Sequence, residues 1–443
     1  MTTENDNETI EVVDPMPGEK VPKLKMKAKK DTLSRIIGKI NKCKPRNDKE
    51  GTIEVSRSNQ NILSSAKFFI RTGIRSFDDM TTGGIPGGRI TEIYGPEGCG
   101  KTALSIRACV KGQTGEIYER LPDKTFVKYD KPYEVSVVYV DNEQSLDEGD
   151  RMVVDGIKAD FAVVRCDTVA QLFKTIDLVL TEVMAIEAET KIKQFVIVVV
   201  DTIASTSSTE EMTSEWGKQD YSRQPKQLRE GFRIMMRDIN RAQMFFIGIN
   251  QVSDNFNSTV KKSPYASQVP QEEEFSSFGG KALKFYSSLR VFMALAGPYK
   301  TSKKQTNPAG LQFEFFVKKN RQGVPLRKGR VVLLFSGGFS DTYSTLEHLM
   351  RQKLITMGSG GDYVFKLSSV GLTGGNTSLD DMEDGKGDEL VCPSKDEWPA
   401  FLEKHRAVLD KFWAATVIKT LESDVPMDAV PDDEDDILED EEL

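Results

Sequence analysis

Apolar residues in the middle of this chain come in short, nearly uninterrupted runs. Ser136–Val140, Phe195–Val200, Met244–Ile249 and Leu289–Leu295 are each almost wholly apolar, the pattern of strands covered on both faces. Glu92–Tyr94, at the end of the alternating stretch Arg89–Tyr94, precedes them, and Phe313–Val317 and Val331–Phe335 follow. Val169–Thr190 and Gln227–Ala242 read as helices between the earlier runs. Strands alternating with helices predict an α/β fold with a mostly parallel central sheet. The later strands succeed one another closely, so the sheet is expected to end in antiparallel strands.

Around this series the pattern changes. Residues 1–30 combine an acidic stretch with the basic block Lys20–Lys30 and read as a disordered tail. That block could touch a polyanion or remain a solvated tail; its charge alone leaves both open. From Asp31 a helix is predicted, with Leu33, Ile36, Ile37 and Ile40 on one stripe and Asp31 or Thr32 as its cap. A lone helix cannot bury its stripe on itself, so the segment 31–66 needs the core or a neighbouring subunit. The core is expected over 67–337. Two long polar segments, Ser205–Gln224 and Ser253–Phe278, interrupt it, and loops of that length are functional or disordered. A small α/β module is expected over 338–420, with a Gly/Ser/Asp-rich insertion at Gly371–Gly387, and an acidic tail over 421–443.

Composition narrows the chemistry. The 443 residues exceed a usual single core, which predicts one large domain with smaller attachments. The net charge is −8, yet Asp432–Leu443 alone holds nine acidic side chains; without them the remainder carries +1. A polyanion partner is therefore compatible with the folded part, provided cations cluster locally. No apolar run reaches membrane-spanning length, and Met1–Glu19 is acidic, unlike a secretory signal. The five cysteines lack metal or disulfide spacing and read as reduced thiols in a cytoplasm. With His348 and His405 as the only histidines, histidine-based catalysis is not expected.

The strongest motif is Gly95-Pro96-Glu97-Gly98-Cys99-Gly100-Lys101-Thr102, which fits G-x-x-x-x-G-K-[ST]. A strand precedes it and the helical stretch Ala103–Cys109 follows, the context in which backbone amides and a helix N-terminus cradle a triphosphate. Lys101 would reach the β/γ oxygens, and Thr102 would hold Mg²⁺. The run Phe195–Val200 delivers Asp201 to a carboxyl strand end, where it suits a second Mg²⁺ contact. Ser136–Val140 leads likewise to Glu143, which either positions an attacking water or caps a helix; spacing leaves both open. Gln251, after Phe245–Ile249, either senses a γ-phosphate or merely ends a strand.

Taken together, Gly88–Thr102, Tyr139–Asp147, Val199–Ala204, Ile249–Gln251 and Gly279–Tyr286 stand in the order and spacing of RecA-family recombinases. The similarity spans roughly 31–365 and extends to an acidic tail; the divergence and insertions resemble those of a phage-encoded, UvsX-like member. The resemblance implies a RecA-type P-loop ATPase core with an N-terminal oligomerisation helix docked on the adjacent subunit and a small C-terminal α/β domain. It implies ATP and Mg²⁺ as cofactors, and single-stranded and duplex DNA, a homo-oligomeric filament, and single-stranded-DNA-binding and mediator proteins as partners. It also implies roles in recombination, repair and the SOS response. Glu143 would be the hydrolytic carboxylate, Asp147 would lie near adenine, and Gln251 would relay the γ-phosphate to a DNA loop. Lys319 and Arg321 would reach a neighbour's ATP. The two polar segments would be DNA-binding loops, offering Trp216, Lys218, Tyr221, Arg223, Lys261, Lys262 and Tyr265 to backbone and bases.

Two departures stand out. Glu148, Gly149 and Asp150 occupy the place of the aromatic that bacterial relatives stack on adenine, and Glu272–Glu274 puts three acids in the second loop. Two rival readings share part of the pattern: a RecA-fold replicative helicase, and a regulatory ATP-binding protein that coats DNA. The isolated N-terminal helix and Gly279–Tyr286 do not fit the helicase, and intact Lys101, Glu143 and Asp201 argue against a protein without turnover.

The acidic tail yields a prediction. If it competes with DNA phosphates for cations, truncation after Pro431 should strengthen duplex binding at low Mg²⁺. The gain should shrink as salt or Mg²⁺ rises, because screening weakens exposed charge interactions. Equal affinity of full-length and truncated protein across a Mg²⁺ series would leave the tail a solubility role alone.

Overall fold

The run Phe195–Val200 sets the architecture. Phe195, Ile197 and Val199 enter one buried apolar cluster, while Val196, Val198 and Val200 enter another. A strand with two apolar faces must be covered twice. The computed structural model describes residues 66–144, 146, 153–158, 160–208, 223–254, 275–277, 281–302, 305–358, 362–370 and 389–423. Segment 1–65, Asp147, most of both polar loops, the insertion 371–388 and the acidic block lie outside those residues.

Nine strands form the central sheet: β1 (Arg89–Tyr94), β2 (Tyr133–Asp141), β3 (Ala162–Val164), β4 (Lys193–Asp201), β5 (Phe245–Asn250), β6 (Leu289–Tyr299), β7 (Gly310–Asn320), β8 (Arg327–Leu334) and β9 (Gly338–Ser340). Their order is β9-β8-β7-β6-β1-β5-β4-β2-β3. The six strands from β6 to β3 run parallel. β6 through β9 pair antiparallel, as the close spacing of the late strands predicts.

Helices cover both faces. α1 (Arg75–Met80) and α2 (Lys101–Gln113) pack on one side, through Phe77, Met80, Leu104, Ile106 and Val110. On the other lie α3 (Val169–Thr190), α4 (Arg223–Ala242) and α5 (Lys281–Tyr286), through Leu172, Ile176, Leu228, Phe232, Ile239 and Leu283. Thr168 and Gln171 form a reciprocal capping box that starts α3. A third cluster, with Leu346, Leu349, Trp398, Phe412 and Trp413, joins α6 (Asp341–Arg351), α7 (Trp398–Lys404) and α8 (Arg406–Ser423) to a three-stranded antiparallel sheet. It is tied to α1 by the Arg75–Asp410 ion pair at 2.6 Å and by Trp413 Nε1, which donates to Asp79.

Several elements differ from the sequence expectation. Ile117–Arg120 and Phe126–Lys128 form a hairpin that extends the strand Phe68–Ile70 into a small separate sheet. The hairpin is short and mostly half-exposed or exposed, so it has little apolar period to betray it. The segment expected as a loop over Ser253–Phe278 begins and ends as paired strands, Val252–Asp254 with Phe275–Ser277. Arg223, expected in the first loop, is the first residue of α4. Cys99, Cys109, Cys166 and Cys392 are unbridged and buried. Among the described residues no helix is long and apolar enough to cross a membrane.

Glu92 and Arg290 form a buried ion pair between β1 and β6. Asn250 Nδ2 also donates to Glu92, and the Arg290 guanidinium lies 4.5 Å from the Tyr94 ring centroid. Arg290→Met would leave the Glu92 carboxylate buried without its cation and should cost about 3–5 kcal/mol. A urea midpoint lowered with an unchanged slope reads this out. A loss of only a few tenths of a kcal/mol, as at an exposed pair, would contradict the assignment.

Candidate active site

The in-register parallel strands carry their polar residues to one edge. β1 ends in Tyr94 and is followed by Gly95; β4 and β2 end side by side in Asp201 and Asp141; β5 ends in Asn250, followed by Gln251. At Gly95 a Cβ would sit 2.0 Å from the Met293 carbonyl oxygen, so only glycine lets the loop leave the strand there. Gly98 and Gly100 adopt left-handed backbone at φ 68° and 82°. α2 starts directly at Lys101 with Gly100 before it and no side-chain cap, which leaves first-turn amides available for an anion. Lys101 Nζ curls into the loop and donates to the carbonyls of Gly95 (2.8 Å) and Pro96 (2.6 Å). The ammonium is thereby held inside the cradle that a phosphate would enter.

Thr102 Oγ1 donates to Asp201 Oδ2 at 2.7 Å, and Tyr139 OH donates to the same oxygen at 2.9 Å. Burial pushes the Asp201 carboxyl up, and the Thr102 and Tyr139 hydrogen bonds oppose that. Hydroxyl and carboxylate oxygens are hard donors that suit Mg²⁺. Among the described residues no group of three or more His, Cys, Asp or Glu gathers to cage an ion. Thr102 and Asp201 thus fit an ion shared with bound phosphates, where it would neutralise developing charge on the phosphate oxygens.

Glu143 follows β2 on an exposed turn whose amides, with that of Asn142, donate to the Asp201 carbonyl. Its Oε1 accepts from Thr202 Oγ1 at 2.9 Å and from Gln251 Nε2. These contacts bring together three residues separated by 59 and 108 positions. The peptide that joins Asp201 to Thr202, the partner of Glu143, is cis.

Residues 68–340 match the family model described as the RecA N-terminal domain. The chain belongs to the RecA family. It is similar to Protein RecA of Arthrospira platensis, 25% identical over 372 residues that cover 84% of this chain and 86% of the relative. It is also similar to Protein RecA of Prochlorococcus marinus strain AS9601 (26% over 366 residues, 82% and 85%) and of Fusobacterium nucleatum (25% over 303 residues, 68% and 69%). The chain is accordingly of P-loop ATPase kind, and its fold is RecA-like.

Other expected site residues lie elsewhere. Lys319 is the penultimate residue of β7 and Arg321 directly follows the strand, where Arg321 N donates to Ser288 O and Ser288 N to Ile90 O. Ile90 lies five residues before Gly95, about 16 Å along a strand. Within one chain, then, this cation pair and the phosphate loop occupy different ends of the sheet. Lys319 Nζ donates to the Lys284 and Phe285 carbonyls at the end of α5. Asp147, Trp216, Lys218, Tyr221, Lys261, Lys262 and Tyr265 fall outside the described residues.

The sequence reading missed the basic side of α4. Arg223, Lys226, Arg229, Arg233, Arg237 and Arg241 are all exposed. At 3.6 residues per turn they share about a third of the circumference, opposite buried Leu228, Phe232 and Ile239. α4 carries only Glu230 and Asp238 as acids, in loose contacts of 3.9 and 3.7 Å with Arg233 and Arg237. The ridge is about 27 Å long and starts at the end of the first polar loop. The four-residue spacing of Arg229, Arg233, Arg237 and Arg241 is the sequence signal that marks this side of the helix.

Burial, then Arg321 and Arg290, pull the Lys319 amine down to about 8. A lowered amine pKa means the charge is present below about 8 and lost above it. The kcat/KM for ATP, which reports the free protein, should therefore fall as pH rises through about 8 if Lys319 acts on phosphate. Lys319→Arg should remove that alkaline limb. A limb unchanged in this variant would detach Lys319 from turnover.

Proposed function

We propose that this protein is an ATP-dependent homologous recombinase. It assembles as a filament on single-stranded DNA, pairs that strand with duplex, exchanges strands, and hydrolyses ATP in response to DNA. The observation that carries this reading is the contact of Gln251 with Glu143. Glu143 stands beside the phosphate loop and Asp201, while Gln251 leads directly into the strand pair that bears the second polar loop. One glutamine side chain thus joins the group that would position water to the segment that would meet DNA.

Each residue then has a part. Lys101 and the loop amides hold the β/γ phosphates, and Thr102 and Asp201 hold Mg²⁺. Glu143, oriented by Thr202 and Gln251, accepts a hydrogen bond from the attacking water and takes its proton. Lys319 and Arg321 act on the nucleotide of the neighbouring subunit, where two cations stabilise charge on the γ-phosphate as an arginine finger does. Their distance from the chain's own loop supports action in trans. The ridge on α4 supplies phosphate-backbone contacts beside the loops, including Arg223.

The test is exchange between circular single strands and homologous linear duplex. Wild-type protein with ATP and Mg²⁺ should convert them to joint molecules. Glu143→Gln should form filaments that persist, with turnover reduced by about 10²-fold or more. A protein that binds DNA yet never joins homologous strands is a coat and not a recombinase; normal turnover in Glu143→Gln removes the base assignment.

The ridge makes a separate prediction about affinity. Arg233→Ala with Arg237→Ala should weaken single-strand binding about equally for all sequences. The slope of log affinity against log salt should lose about 0.7 per phosphate contact removed. An unchanged slope would place the DNA path off α4.

A further inference from the structure

Tyr139 has no part in the chemistry described so far, yet its hydroxyl ends at the centre of it. The side chain is fully buried between β2 and α2, in the cluster that contains Leu104 and Val199. In the parallel pair β2–β4, Tyr139 lies opposite Val199 and Asp141 opposite Asp201. Tyr139 is therefore two residues below Asp201 in register, on the face toward α2, and its ring spans that step of about 6.6 Å. The hydroxyl donates to Asp201 Oδ2 at 2.9 Å, the oxygen that also accepts from Thr102 Oγ1 at 2.7 Å. Ser105 Oγ, which donates to the Thr102 carbonyl at 2.8 Å, stands 3.3 Å from the Tyr139 hydroxyl. Beneath, the ring stacks on Phe161 with centroids 5.2 Å apart and planes 23° apart.

We propose that Tyr139 is a positioning residue for the metal-holding carboxylate. A carboxylate on a strand end can rotate, and with Thr102 as its only donor it could turn when that hydroxyl engages an ion. A second donor on the same oxygen, fixed by a buried ring, commits Oδ2 to the protein and sets the direction in which the other oxygen points. Tyr139 thereby couples the core packing of α2 to the affinity of the site for Mg²⁺, as outer-shell hydrogen bonds do for metal ligands. A phenylalanine would pack as well, so the hydroxyl has a purpose beyond filling space. Desolvation makes a buried hydroxyl without a partner costly, and here the partners are Asp201, which would meet the ion, and Ser105 of α2.

The inference rests on the proposed ATP and Mg²⁺ reading, and the test separates the two. Binding of a non-hydrolysable ATP analogue is measured in EDTA and across a Mg²⁺ series, for wild type and Tyr139→Phe, together with thermal midpoints without nucleotide. Wild-type affinity should rise with Mg²⁺; if it does not, the nucleotide-site reading fails. Given that rise, Tyr139→Phe should bind the analogue in EDTA as wild type does, while its half-saturating Mg²⁺ increases about tenfold. The same half-saturation in both proteins overturns the positioning role and leaves the P-loop reading intact. A lowered thermal midpoint with unchanged Mg²⁺ dependence does so too, since it describes a packing residue. Should Tyr139→Phe fail to fold, Phe161→Leu keeps the hydroxyl and loosens the ring. Its half-saturating Mg²⁺ should rise by about twofold or more, in the same direction as loss of an outer-shell contact, and an unchanged value counts against the proposal.

Discussion

A parallel sheet covered on both faces leaves its polar side chains few places to go. Inside β4 every residue from Gln194 to Asp201 is buried, and the only charged side chain among them is the one at the carboxyl end. The same holds for β5, where Asn250 closes an apolar run. Because β1, β5, β4 and β2 hydrogen-bond in register, these terminal polar groups arrive at one edge together. The site's assembly is thus a consequence of sheet pairing. Shifting one strand by a single residue would turn Asp201 or Gln251 to the other face.

The exception to that rule is instructive. Glu92 and Arg290 lie within the sheet, buried, and neutralise one another between β1 and β6. Such a pair contributes little net stability against an apolar equivalent, but breaking it is costly. It also fixes the join at which the phosphate-loop strand meets the antiparallel strands carrying Lys319. The strand that precedes the loop and the strands that carry Lys319 are therefore joined by backbone pairing and by one buried ion pair.

Charge is distributed in the same economical way. The chain is close to neutral without its acidic end, yet α4 gathers six cations on one side with two acids along its whole length. Amphipathicity explains why α4 is polar outward; it does not require nearly one sign of charge. A single-sign ridge costs some self-repulsion, which a polyanion would relieve. Lys319 and Arg321 add a second group of cations, at the opposite end of the sheet from Gly95–Thr102.

How much of this was written in the chain depends on the range of the interaction concerned. The glycine-rich loop, the strand preceding Asp201, the helix Val169–Thr190, α4 from Gln227 to Ala242, and the switch to antiparallel pairing were legible because each rests on local chemistry: glycine's backbone freedom, apolar periodicity, short connections. The roles of Glu143 and Gln251 stayed open on spacing, since a strand-end carboxylate and a strand-end amide have ordinary explanations. Their meeting across 108 residues is a product of register, which no local window contains. The hairpin Ile117–Lys128 is not legible in the sequence, because half-exposed short strands carry no strong period. Tyr139 read as one apolar member of a strand; its hydroxyl acquires significance only where Asp201 and α2 close over it. Sequence fixes which residues must be buried and which turns glycine alone permits. Which polar atoms then share one small volume follows from packing and strand register, because those are set by contacts between segments far apart in the chain.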